Sequence, residues 1–321
     1  MLGVIVLLQS LVLAIAGPVS SPEYLPLRVA EVEGLFAREG LRVVLRSTRA
    51  EPGAAEALVQ GQADLAATSL DAILRFGPRS VTQGPRLVFG LTAVPPVALL
   101  VPTAQTGIVR SVNDLPGTRV GLSSPGAPEQ MWFGWLLARV GLSVAQMWVV
   151  SHGSRGLVTA VQSGDVHSGL VHEPAASRLL AEGEARLLVD LRTPAAVAEA
   201  IGNATLHAAV FARVDRRPRD RDLGAFARAV LGAVERIGAA SAEDLAARLP
   251  RRLVDDDFPG RLEATRRIYL PDGLVTADQI RETLALIRAH QPLPVTSRVP
   301  SPEELLHIEP LRRVLSAPAG R

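Results

Sequence analysis

Leu11-Val12-Leu13-Ala14-Ile15-Ala16 runs straight into Gly17-Pro18-Val19-Ser20-Ser21-Pro22, and the reading of this stretch decides the fold. A short apolar run closed by Gly, Pro and Ser is the pattern of a buried β-strand that ends in a loop. A second reading competes with it. Met1 to Ala16 is apolar apart from Gln9 and Ser10, and Ala14-Ile15-Ala16 before Gly17 mimics a signal-peptidase site. A secretion signal also needs positive charge ahead of its apolar run, and the first arginine here is Arg28.

Outward from this stretch the chain alternates strand and helix. A helix is expected over residues 23–38, stopped by Gly40, then a strand over 41–46 and a short helix over 54–60. Residues 63–67 form a small-residue strand with Thr68-Ser69 at its end, followed by a helix over 71–76 and a strand over 85–91. Pro95-Pro96 breaks the pattern. Beyond it come strands over 97–101, 118–122, 146–150, 168–171, 186–191 and 206–212, with helices over 128–140 and 156–162 and one ending at Leu180. From Leu223 onward the chain reads as mainly helical, with Thr276 capping a helix to His290 and a Pro-rich tail after Gln291. Such alternation argues for an α/β protein with mostly parallel sheets. The order strand, Ser/Pro/Gly loop, helix occurs at residues 11–38 and again at 118–140, an echo that two similar lobes would produce.

Composition narrows the function classes. The 321 residues suit two lobes better than one core, and the 48% of hydrophobic residues excludes a disordered chain. The 34 basic residues, all arginine, balance 32 acidic ones, which is no footprint for nucleic acid. The chain has no cysteine, so disulfides, thiolate metal sites and thiol nucleophiles are impossible. A Walker A loop, a GxGxxG turn after a strand, a GxSxG elbow and an HExxH helix are all missing from the sequence.

In open α/β sheets, ligands bind beyond the carboxyl ends of the strands, where helix N-termini present unpaired N–H groups. Ser20, Ser21, Thr68, Ser69, Ser123, Ser124 and Gly126 each follow a strand and precede a helix. Their hydroxyls and amides suit a small polar or anionic ligand, although any one of these serines can equally be a plain helix cap. Tyr24, Thr92 and Asn203 complete the candidate set, together with His172 at a strand end and Arg155 in a strand-to-helix loop. Arg155 could clamp a carboxylate or sulfonate, or lie solvated on the surface. His167 and His172 fall at opposite ends of one strand, so a shared metal is not expected. Glu173-Pro174 is expected to shape a turn. Arg216 to Asp222 reads as a solvated helix start.

Five blocks carry a family likeness. Gly34-Leu35-Phe36-Ala37-Arg38-Glu39-Gly40-Leu41, Gly61-Gln62-Ala63-Asp64-Leu65-Ala66, Val112 to Gly121, Leu170-Val171-His172-Glu173-Pro174 and Asp272-Gly273-Leu274-Val275-Thr276 occur in order. Together they resemble the sulfonate/taurine/nitrate and NMT1/THI5-like branch of importer binding proteins, the periplasmic-binding-protein type II group. The likeness covers residues 11 to 290. Two departures stand out: His167 replaces an aspartate in the block Gly164-Asp165-Val166-His167-Ser168, and His172 takes a place often held by an aromatic. Aromatics are only 4% of the chain, which argues against a ligand sandwiched between rings.

The resemblance implies a two-lobed fold with two hinge crossings, lobe one at residues 1–97 plus 205–321 and lobe two at 98–204. It implies a monomeric, extracytoplasmic solute-binding subunit of an ABC importer, with a permease and its ATPase as partners, no cofactor and no catalysis. It also makes residues 11–16 a central strand, so any export signal is expected upstream of Met1. The alternatives are a biosynthetic enzyme on the same fold, of the pyrimidine- or menaquinone-precursor synthase type, and a ligand-sensing domain. The lack of a Cys/His constellation speaks against the iron-dependent pyrimidine type, and the ligand-sensing reading finds no effector module in these residues.

Overall fold

The computed structural model describes residues 10–123, 128–200, 205–254, 257–291, 293 and 298–317. Among the described residues, ten strands form two five-stranded sheets. The first contains β1 (Ser10–Ile15), β2 (Arg42–Ser47), β3 (Leu65–Ser69), β4 (Pro85–Thr92) and β10 (Ala208–Arg213), in the order β2-β1-β3-β10-β4. The second contains β5 (Val97–Pro102), β6 (Arg119–Leu122), β7 (Trp148–Ser151), β8 (Ser168–His172) and β9 (Ala185–Asp190), in the order β7-β6-β8-β5-β9. The two orders are the same pattern. In each sheet one strand runs against the other four: β10 is antiparallel to β3 and β4, and β5 is antiparallel to β8 and β9. These are the two strands the chain enters after passing from one sheet to the other.

β1 settles the reading of the opening stretch. It pairs in parallel with β2 on one side and β3 on the other, and Leu13, Ala14 and Ile15 are wholly buried. An apolar run with no alternation is what a strand covered on both faces requires. By contrast β2 is a sheet edge, and its alternating sequence leaves Arg42, Val44 and Arg46 exposed.

Most expected elements stand within two or three residues of their places, and the exceptions have local causes. The single helix expected over 23–38 is three pieces: a 3₁₀ turn Pro22–Tyr24, a helix Leu25–Val32 and a short helix Leu35–Arg38. Gly34, at φ 66° in the left-handed region, makes the break between the last two. The helix expected at residue 54 begins earlier, as Glu51–Val59 with a proline in its first turn, and a helix Pro194–Ala200 had no strong sequence signal. The long helix Asp220–Ala239 lies against Leu25–Val32, Leu35–Arg38 and Glu309–Ser316, with Phe36 and Phe226 stacked at 5.5 Å.

The late Asp-Gly block has a physical reason. Gly273 sits at φ 65°, its carbonyl accepts from Gly90 N on β4 at 2.8 Å, and a Cβ there would meet the Phe89 ring at 2.5 Å. The Pro-rich tail also binds the first sheet, through His307 N donating to Leu87 O at 2.8 Å. Among the described residues no helix is long and apolar enough to cross a membrane.

The passages between sheets lie side by side. Thr205 Oγ1 donates to Ala93 O at 3.0 Å, Leu191 N to Val97 O at 3.1 Å and Glu173 N to Pro96 O at 2.9 Å. A third link spans the back. Helix Ala277–His290, which follows the first sheet's block, packs on helix Pro128–Arg139 of the second. There His290 sits edge-on to Trp135 at 5.9 Å and directly over Gly134.

Candidate functional site: a cleft between two sheets

Strand ends converge on one cavity of about 620 Å³. From the first sheet it receives Gly17, Pro18, Ser21 and Glu23 after β1, Arg49 and Glu51 after β2, and Asp71 and Arg75 after β3. From the second sheet it receives Ser123 and Glu129 after β6, Ser154 and Arg155 after β7, and His172 and Glu173 at β8. His207, just ahead of the reversed strand β10, reaches the same place. Placing six parallel strands with their carboxyl ends toward one another is what brings these loops together.

The hydroxyls are present, but they are engaged by carboxylates of the protein itself. Ser21 Oγ donates to Glu23 Oε2. Thr68 Oγ1 and the Ser69 backbone N–H both donate to Glu51 Oε2 at 2.5 Å. Tyr24 OH donates to Glu51 Oε1 at 2.6 Å. Ser123 Oγ donates to Glu129 Oε1, whose other oxygen pairs with His172 Nε2 at 3.1 Å. Each acid stands in or next to the first turn of a helix, where the dipole favours negative charge.

The electrostatics follow from this arrangement. Burial works against ionising Glu129, but the facing His172 and the Ser123 hydroxyl outweigh it and hold the carboxyl below its ordinary range. Burial likewise disfavours the His172 cation, yet Glu129, with Glu23 and Glu51 farther off, carries its pKa up to about 9. Glu23, 5% exposed, is lowered against its own burial by His207, His172 and Ser21. Asp71 behaves differently. Burial dominates there, Arg75 compensates only in part, and the pKa rises to about 6.

Of the residues singled out in the sequence, Ser21, Ser123, Arg155 and His172 line the cleft. Thr68, Ser69 and Tyr24 stand behind it and reach it through Glu51. Two do not reach it. Ser20 faces a separate small hollow beside Leu253 and Phe258, because the turn before Pro22 directs successive residues to opposite sides. Thr92 is wholly buried and accepts from Ala208 N at 3.2 Å, so its hydroxyl serves the junction between β4 and β10. Ser124, Gly126 and Asn203 lie outside the described residues. His167 lies at the far end of β8, accepting from Arg119 N through Nδ1 at 3.2 Å. Glu173 is structural: it accepts from Ser177 and from Arg192 Nη1 at 3.0 Å and shapes the turn as expected.

Sequence reasoning passed over Glu23, Glu51, Asp71, Glu129 and His207. For the four acids the signal was there, each standing in the first helical turn after a strand end. Such acids are usually read as dipole partners and nothing more.

The comparisons agree with this geometry. A family model described as NMT1/THI5 like matches residues 21–201, more than half of the chain. The chain belongs to the NMT1/THI5-like family. Among solved structures, a protein of Bordetella bronchiseptica RB50 is 26% identical, with a TM-score of 0.77 over 95% of this chain and 96% of its own. The alkanesulfonate-binding protein SsuA of Xanthomonas axonopodis pv. citri, bound to MOPS, is 18% identical, with a TM-score of 0.66 over 93% and 98%. The periplasmic nitrate-binding protein NrtA of Synechocystis PCC 6803 is 14% identical, with a TM-score of 0.70 over 97% and 90%. No curated protein sequence matches the chain significantly. The fold of this NMT1/THI5-like protein is that of the periplasmic binding proteins, two mixed five-stranded sheets flanked by helices.

Proposed function

We propose that the protein is the solute-binding subunit of an ABC importer, acting outside the cytoplasm as a monomer whose lobes, residues 1–97 with 205–321 and residues 98–204, close on a small polar solute. The observation that carries this reading is a cavity of about 620 Å³ lined by strand ends of both sheets. A cavity of that size encloses a small organic molecule. Because its walls belong to different sheets joined by adjacent crossings, a bound solute touches both only when they approach. Differential contact of that kind shifts an open population toward a closed one. The closed form is then what a membrane permease with its ATPase would recognise. Relatives that bind sulfonates and nitrate support the role.

Capture requires no chemistry, and the polar groups of the cleft suit holding better than reacting. Glu129 has both oxygens engaged, by Ser123 and by His172, and Glu51 is held by Tyr24, Thr68 and Ser69. Purified protein is incubated with a small-molecule extract, washed and unfolded, and the released compounds are identified by mass spectrometry. Recovery of one unaltered compound at a one-to-one ratio is expected. Release of a converted product would replace this reading with that of an enzyme.

A further inference from the structure

The floor of the cleft is unlike an anion site. An oxyanion is held by hydroxyls, helix amides and cationic side chains with donors to spare. Here the hydroxyl, amide and imidazole donors of the floor are already engaged: Ser21 by Glu23, Thr68 and the Ser69 amide by Glu51, Ser123 by Glu129, and the His172 Nε2 by Glu129. Among the described residues, buried side-chain polar atoms with no partner remain at two cleft residues. Asp71 is 3% exposed and its Oδ1 has no hydrogen-bond partner, while Oδ2 takes Arg75 at 3.3 Å. His207 is 4% exposed, and its Nε2 stands 3.8 Å from Glu23 Oε1, too far for a hydrogen bond. The acids lie deeper than the arginines: Glu23, Asp71 and Glu129 are buried, Arg75 and Arg178 are half-buried, and Arg49 and Arg155 are exposed at the rim, while His172 is paired with Glu129.

We infer that the cleft selects a small organic solute by a cationic head, an ammonium, amidinium or guanidinium, seated against Asp71, Glu23 and His207. The inference rests on the solute-binding reading above and deepens it. A buried carboxylate oxygen with no partner costs free energy in the empty protein, and a donor-bearing cation removes that cost on binding. An anionic tail on the same solute would meet Arg49 and Arg155 at the rim.

Butylammonium, methylguanidinium and butanesulfonate, the first and last sharing one alkyl chain with opposite head charges, are titrated into the full chain at neutral pH by calorimetry, with melting curves alongside. The two cations are expected to bind and to raise the melting temperature, and butanesulfonate to do neither. D71N, folded as judged by circular dichroism, is expected to lose about ten-fold or more in affinity for both cations. If D71N does not fold, the wild-type comparison decides alone. Failure of both cations to bind overturns the inference, as does unchanged affinity in D71N. Binding of butanesulfonate in their place overturns the cationic head while leaving solute capture standing.

Discussion

At the scale of single residues, the cleft is set by acids that the fold stabilises unequally. Asp71 holds its proton more tightly in the folded protein than in the unfolded chain, with a pKa moved from 3.8 to about 6. Through that interval the native state binds more protons, so this residue makes stability fall as pH rises from about 4 to about 6. D71N removes the penalty and should stabilise the solute-free protein by about 1–3 kcal/mol at pH 7, with the gain vanishing near pH 4. Urea unfolding at the two pH values measures it. A gain in stability with a loss of binding is the signature of a residue kept for function. His172 has the opposite sign. Its pKa is raised from 6.5 to about 9, so its contribution is fully present below 6.5 and is lost as pH rises through about 9. In E129Q the His172 ring should titrate well below 9, followed by NMR. A value unmoved from about 9 would assign the shift to other groups. The serines and threonines at the strand ends were legible in the sequence because each follows an apolar run and precedes a helix. Their partners were not, because Glu51 and Asp64 look alike in sequence. Only the fold shows that one accepts from Thr68 in the cleft while the other takes Val12 N.

At the scale of elements, patterning identified nearly every strand, since buried parallel strands stand out as apolar runs between Gly and Pro. It missed the break at Gly34 because a left-handed glycine inside an amphipathic run leaves the apolar period intact on both sides. It also could not show how helix Ala277–His290, capped by Thr276 as its sequence announces, crosses to the other sheet. That contact depends on Gly134. A Cβ placed there would lie 2.8 Å from His290 Nδ1, so a bulkier residue must displace the ring or part the helices. Gly134→Val should cost about 1–3 kcal/mol by overpacking this back contact. Thermal unfolding measures the loss, and a double variant that also trims His290 to alanine should recover part of it. No recovery would mean that the strain lies elsewhere.

At the scale of the whole molecule, two sheets of one pattern face each other across a cleft, and each depends on its interior strands. β1 buries Leu13 and Ile15 fully and pairs on both sides. Its removal forfeits roughly 1.5–3 kcal/mol per large side chain and exposes two strand edges. A domain worth about 5–15 kcal/mol does not absorb that loss. Residues 17–321 should therefore fail to melt cooperatively while residues 9–321 do; equal melting would show that β1 is dispensable. The same architecture makes closure the central expectation, since the cleft walls belong to different sheets joined by adjacent crossings, with the Gly134 contact behind them. Small-angle scattering decides it most directly. The protein stripped of solute by unfolding and refolding is compared with the same protein reloaded with the compound it releases. A smaller radius of gyration on loading, at constant monomer mass, is the predicted result. An unchanged radius in the presence of stoichiometrically bound solute would contradict it.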